Sequence, residues 1–111
     1  MKIANLLTAL PDATNAERFE PLLTQANWRL ERITSLGQTT PPGEWLEQAC
    51  AEWVLLLAGA AQLRFAGEEP QSLQPGDSVL IPAHQQHRVE WTDPARPTLW
   101  LALHYQADAA D

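Results

Sequence analysis

From Trp28 onward the chain is a series of short apolar stretches separated by proline and glycine, and this pattern restricts its fold more than any other feature. Strand-sized stretches are predicted at residues 28–33, 52–57, 61–65, 78–81, 87–92 and 98–105, the first of them resembling an edge strand. Glycine or proline breaks the pattern at Gly59, at residues 67–71 and at residues 75–77. Many short strands with turns between them are typical of an all-β sandwich or barrel.

The N-terminal segment has a different pattern. Leu6, Leu7 and Leu10 lie at helical spacing, Pro11 ends that turn, and residues 14–17 have the form of a helix capping box. These features predict a short helical arm, with an extended piece near residues 19–23.

The chain is predicted to form one domain. Residues 1–25 are the arm, residues 26–106 form the barrel, and residues 107–111 are a polar, frayed tail. No Gly and Ser linker follows the arm, so we expect it to pack on the barrel or on a partner subunit. The length of 111 residues matches the common domain size of about 100–150.

Charge and cysteine content exclude several classes of protein. Seven Lys and Arg against fourteen Asp and Glu give a net charge of −7, which repels nucleic acid and anionic membrane surfaces. The lone Cys50 forms no intrachain disulfide, and the N-terminus lacks the pattern of a secretion signal. No apolar run approaches the ~20 residues that cross a bilayer. A cytoplasmic protein with no nucleic acid or membrane partner is therefore expected.

Histidines near the end of the chain are candidates for a site. Strand parity places His87 on the same face as Val89 and Trp91, so its side chain points inward. It is either a core histidine bonded to a carbonyl or a ligand. His84 lies in the turn before that strand, at the mouth of the same pocket or in solvent. His104 lies on the last strand, where both faces are apolar, and is a possible supporting group.

Acidic and amide side chains form the second set of candidates. Glu52 opens the most apolar strand, so it is either an exposed strand end, a paired carboxylate or a metal ligand. Glu47 and Gln48 precede it closely enough to add oxygen ligands. Imidazole nitrogens with carboxylate oxygens suit Zn, Fe, Mn, Ni or Cu without selecting one.

These residues resemble the two cupin motifs, G-x5-H-x-H-x3,4-E-x6-G and G-x5-P-x-G-x2-H-x3-N. The end of the first motif is matched by Glu52 and Gly59, and the second by Gly76, Pro82 and His87. The stretches EWVLLLAG and PGDSVLIPAHQQHRV are similar to small bacterial single-domain cupins. The resemblance implies a double-stranded β-helix, or jelly-roll, barrel with a metal-capable pocket.

The chain departs from the family pattern at several ligand positions. The H-x-H slots fall on Trp45 and Glu47, or on Leu46 and Gln48, so both family histidines are missing. The resemblance carries over Glu52 and His87 as metal ligands, with Glu47 or Gln48 as a substitute and His84 as an addition. The glycine of the second motif is His84, and its asparagine is Trp91.

Three functions follow from these observations. The first is a metal-dependent dioxygenase or isomerase that acts on a small molecule, with a divalent metal held by Glu47, Gln48, Glu52, His84 and His87. The second is a binding module that holds a metabolite without converting it, with or without a structural metal, and the missing histidines favour it. The third is a structural subunit whose arm mediates dimerisation. A homodimer is expected from the arm and from the family's habit.

Overall fold

The computed structural model describes residues 1–106, and the tail predicted for residues 107–111 lies outside them. Within this part the chain forms eight β-strands and no helix. The strands are β1 (Arg18–Thr24), β2 (Trp28–Ser35), β3 (Ala51–Ala58), β4 (Ala61–Phe65), β5 (Gln71–Leu73), β6 (Ser78–Ile81), β7 (His87–Thr92) and β8 (Thr98–Tyr105).

The strands build two antiparallel sheets. One sheet has the order β1-β2-β8-β3-β6, and the other has the order β5-β4-β7. This confirms the predicted all-β fold of the jelly-roll type. The prediction that residues 28–33 form an edge strand is wrong, because β1 pairs with β2 and covers its free edge.

The apolar core lies between the sheets. Val54 and Leu56 of β3 alternate with less buried neighbours, as expected where one face of a strand is covered. They pack with Leu63, Ile81 and Trp100 in one cluster of buried side chains. Complete burial of a residue such as Leu56 contributes about 1.5–3 kcal/mol. The indole nitrogen of Trp100 finds its partner in Ser35 Oγ at 3.1 Å.

The helical arm is not formed, and this prediction is wrong. Residues 6–9 make turns and bends, and the arm lies against the sheet through Arg32 of β2. The Arg32 guanidinium donates to the carbonyl oxygens of Leu6, Thr8 and Ala9 at 3.0–3.2 Å and to Glu20 Oε1 at 2.8 Å. A helix this short is unstable in water. The carbonyls that a helix would have paired are satisfied by a buried arginine instead.

Residues 19–23, predicted to be extended, lie within β1. Across residues 1–106 no helix is long and apolar enough to cross a membrane. The homodimer stays a prediction.

Gly59 connects β3 to β4 at a point of close backbone approach. Its φ is +89°, and an added Cβ would lie 2.5 Å from Thr98 Oγ1 and 2.7 Å from Thr98 Cα. Gly67 has a similar φ of +82° but open space around it. Both glycines therefore have a left-handed backbone, but only at Gly59 would a side chain also clash with a neighbouring residue.

We expect Gly59→Ala to lower the free energy of unfolding much more than Gly67→Ala. The left-handed backbone alone costs about 1–2 kcal/mol, which applies to both variants. The clash with Thr98 adds about 1–3 kcal/mol in Gly59→Ala only. Urea denaturation of the two variants and the parent measures the difference. Equal losses in both variants would contradict the close packing of β8 on this turn.

Candidate functional site

A cavity of about 610 Å³ opens between the two sheets. Its inner part is apolar and is formed by Val54, Leu63, Ile81, Val89 and Trp100. The ionisable and amide side chains on its walls are Glu17, Arg29, Glu31, Gln38, Gln48, Glu52, His87 and His104. The cavity thus joins an apolar floor to a polar wall, as small-molecule sites commonly do.

Strand register brings four of the ionisable groups to one place. Glu52 on β3 lies opposite His104 on β8, and Arg29 on β2 lies opposite the same histidine. Glu31 is two residues along β2 from Arg29 and therefore shares its face. The pairing of β8 with both β2 and β3 thus places His104 between Glu31 of β2 and Glu52 of β3.

The resulting group of Glu31, Gln48, Glu52 and His104 is called the His104 cluster below. His104 Nε2 lies 2.8 Å from Glu31 Oε1 and 3.2 Å from Glu52 Oε2, and Nδ1 lies 3.2 Å from Gln48 Oε1. The side chains of His104, Glu31 and Glu52 are 5%, 14% and 12% exposed. Nε2 is hydrogen-bonded to Glu31, whereas Glu52 lies within ion-pairing distance of the same nitrogen. Because a carboxylate oxygen accepts, Nε2 carries the hydrogen toward Glu31.

His87 faces the same cavity from the other sheet. Its backbone is held by a bridge to Leu46, and its ring lies against Phe65 with centroids 6.4 Å apart. Nδ1 lies 2.9 Å from the carbonyl oxygen of Gln85, which can only accept, so Nδ1 bears a hydrogen. His87 is 4% exposed, and its Nε2, which has no hydrogen-bond partner within residues 1–106, is not fully enclosed and retains some accessible surface. In the neutral ring this nitrogen presents a lone pair.

Glu17 adds a third carboxyl group to the cavity wall. It accepts a hydrogen bond from Ser35 Oγ. Burial raises the pKa of Glu17 above its ordinary value, the hydrogen bond from Ser35 opposes this, and the nearby charge of Glu31 raises it further. The carboxylate form of Glu17 is therefore less favourable in the folded protein than in the unfolded chain.

The structure separates the predicted site residues into two sets. Gln48, Glu52 and His87 line the cavity. Glu47 and His84 are exposed and lie outside its lining. Leu46 and Gln48, rather than Trp45 and Glu47, are therefore the H-x-H positions that face inward, which answers the question of register left open by the sequence. His84 adopts a left-handed backbone with φ of 66° in the turn before β7.

Glu31 was missing from the predicted site residues, and His104 was predicted only as a possible supporting group. Glu31 lies on a strand whose two faces are both mixed, and His104 lies on a strand whose two faces are both apolar. The alternation of Arg29, Glu31 and Ile33 on one face of β2 was a usable signal for Glu31. Nothing in the sequence of β8 distinguishes the inward face.

The described side chains of the cavity are of the types that bind a divalent metal, but their arrangement does not form a metal site. Two carboxylates and an imidazole are donors that Zn, Fe, Mn, Ni and Cu accept. Within residues 1–106, however, no three His, Cys, Asp or Glu side chains form a group able to hold a metal ion. Nε2 of His104 already carries a hydrogen toward Glu31, and Leu46 occupies an H-x-H position. These residues do not fit a metal as arranged, and the metal site stays a prediction.

We expect Glu17→Gln to stabilise the protein at neutral pH and not at low pH. A folded-state pKa above the unfolded one means that the native protein binds more protons between the two, so stability falls as pH rises through that interval. The penalty is absent below about pH 4, where the unfolded carboxyl is protonated as well. The urea midpoints of parent and variant should agree near pH 4, and the variant's should be higher at pH 8. A variant less stable than the parent at pH 8 would contradict this account.

Comparison with known proteins gives one near relative and several distant ones. A candidate mannose-6-phosphate isomerase from Ralstonia eutropha JMP134 is 42% identical, with a TM-score of 0.92 over 96% of this chain and 100% of that chain. A protein of Thermus thermophilus is 22% identical, with a TM-score of 0.78 over 96% and 98% of the two chains.

A cupin superfamily protein from Desulfitobacterium hafniense DCB-2 is 17% identical, with a TM-score of 0.73 over 88% and 84%. At these lower identities the likeness to the Thermus and Desulfitobacterium proteins concerns the fold alone. A search of curated proteins finds none that matches this chain. The Cupin domain family matches residues 36–104, which includes both motif regions. The chain belongs to the cupin family.

Proposed function

We propose that this protein is a small-molecule isomerase that moves a proton within its substrate in the cavity between the two sheets. The observation that carries the proposal is His87, a buried imidazole that lines the cavity with Nε2 unpartnered within the described residues. A neutral imidazole is the side chain best suited to accept a proton near pH 7.

An isomerisation between a hydroxyaldehyde and a hydroxyketone fits the groups on the two walls. His87 Nε2 takes the proton from the hydroxyl-bearing carbon next to the carbonyl and returns it to the carbon that was the carbonyl carbon. The hydroxyl proton passes to the carbonyl oxygen with the help of the His104 cluster on the opposite wall. Atoms and electrons balance without a further reactant, so the reaction needs only one base and one group that exchanges the oxygen-bound proton.

The relative from Ralstonia eutropha supports this class of reaction. It is described as a candidate isomerase and is 42% identical over its whole length. Fold alone would not carry the proposal, because one barrel hosts many activities. The support comes from the agreement between that description and a cavity that holds an unpartnered imidazole.

We expect His87→Asn to abolish proton exchange in the substrate and His84→Asn to leave it unchanged. Both residues are histidines of the same turn and strand region, but only His87 lines the cavity. Asparagine also tolerates the left-handed backbone of His84. The assay incubates a panel of aldoses and ketoses in D₂O and detects deuterium next to the carbonyl by NMR. Loss of a general base typically lowers the rate by about 10²–10⁴-fold.

Exchange that survives in His87→Asn would remove His87 as the base. Exchange absent from the parent with every aldose and ketose would remove the isomerase and favour the second candidate function. That second function is a binding module without turnover. It is favoured by one specific observation, namely that His104 is hydrogen-bonded to Glu31 and Gln48 and lies 3.2 Å from Glu52, so these groups contact one another rather than being held apart around a reactant.

The metal-dependent dioxygenase stays a separate prediction, and metal analysis tests it. We expect untagged protein to contain much less than one metal per chain, since His104 must first give up its hydrogen bond to Glu31 and its contact with Glu52 to become a ligand. Plasma mass spectrometry of the parent, Glu52→Gln and His87→Asn measures the content. A stoichiometric metal that both variants lose would restore the metalloenzyme.

A further inference from the structure

We propose that the cavity takes a small molecule bearing a positively charged amine and no phosphate group. This inference rests on the proposed function in that it takes the same cavity as the substrate site. It differs from the substrate named for the Ralstonia relative, which is a phosphorylated sugar.

Three carboxyl groups face the cavity, from Glu17, Glu31 and Glu52. Among the described residues that line it, Arg29 is the one Lys or Arg, and its side chain lies in an exposed position. His104 adds at most one further positive charge, and that charge is already shared between two carboxylates. A cleft lined by one sign of charge and backed by apolar walls concentrates its field on a bound ion.

The hydrogen-bonding inventory points in the same direction. Glu17, Glu31 and Glu52 each use one oxygen within the described residues, for Ser35 or His104, so each retains a second oxygen that can accept. His87 Nε2 adds another acceptor from the opposite wall. This nitrogen is independent of the carboxylates, and its side chain is 4% exposed. A ligand that satisfies such a wall must supply several hydrogen-bond donors, as an ammonium group does.

A phosphate group has the opposite properties. It brings two negative charges at neutral pH and only acceptor oxygens, so it would face three carboxylates with no hydrogen to share. Among the described residues that line the cavity, Arg29 is the one Lys or Arg it could meet, at an exposed position where an ion pair contributes about 0–1 kcal/mol. Neutral donors on the cavity wall include the Gln48 amide and the hydroxyls of Thr39 and Thr40. The apolar floor around Trp100 suits the uncharged remainder of the ligand and gives the phosphate no partner.

The test compares three sugars that differ in one group: glucosamine, glucose and glucose 6-phosphate. Calorimetric titrations at about pH 6.5 keep the amine protonated, since this lies below the usual pKa of an α-amino group. We expect glucosamine to bind about tenfold more tightly than glucose, the gain of one charge-assisted hydrogen bond. Glucose 6-phosphate should bind most weakly, and added salt should weaken glucosamine binding only.

Variants locate the effect. Glu31→Gln and Glu52→Gln, made singly, should each reduce the preference for glucosamine, and Glu17→Gln provides a third variant if either of the others fails to fold. Glu47→Gln is the matched control, because Glu47 is exposed and adjoins the cavity residue Gln48 without lining the cavity. It removes the same charge from the protein and should leave the preference unchanged.

Equal affinities, absence of binding by all three sugars, or tightest binding of glucose 6-phosphate would each overturn the inference. The same holds if Glu47→Gln reduces the preference as much as the cavity variants do. These outcomes are distinct from failure of the isomerase, which is judged by deuterium exchange in His87→Asn. A preference for glucosamine without exchange would leave a binding module with a cationic ligand.

Discussion

The site depends on the need of buried ionisable groups for partners, and in this barrel His104 supplies that partner. Glu31 and Glu52 lie on the inner faces of β2 and β3, where an unpaired carboxylate would be costly. The strand between them, β8, places one imidazole nitrogen within 3.2 Å of both. The histidine thus gives two carboxyl groups on neighbouring strands a common partner on the wall of one cavity. Strand β8 therefore contributes to both parts of the cavity: His104 lies in its polar wall, and Trp100 lies in its apolar floor.

Sequence reasoning reached the fold because its signals are local. Glycine and proline positions and the period-two alternation lie within single strands, so they predicted the all-β architecture and every strand from β2 onward except β5. The prediction of a helical arm was wrong because the contacts that decide its structure are not local. Leu6, Leu7 and Leu10 have helical spacing, but the carbonyls of this segment bind Arg32, which lies on another strand and has no local signature.

The difference between local signals and long-range contacts also explains which site residues were predicted and which were missed. Glu52 and His87 occupy motif positions and line the cavity, whereas Glu47 and His84 lie nearby in sequence and face solvent. Register between segments decides this, and a shift of one residue would exchange Glu47 for Gln48. Glu31 and His104 belong to no motif. Their role follows only from the pairing of β8 with both β2 and β3, a long-range contact that spacing along the chain does not encode.

The contacts within the His104 cluster allow a comparison with a cupin that holds a metal between carboxylates. A divalent cation between carboxylates neutralises them and leaves open positions for a substrate. An imidazole in the same surroundings donates to Glu31 and lies 3.2 Å from Glu52, and it leaves the second oxygen of each carboxylate without a partner among these groups. On the proposal of a cationic ligand, those oxygens and His87 Nε2 act together as acceptors. The ligand is then selected by the protons and positive charge it brings, so the residues at the family's histidine positions would affect the choice of ligand as well as the binding of a metal.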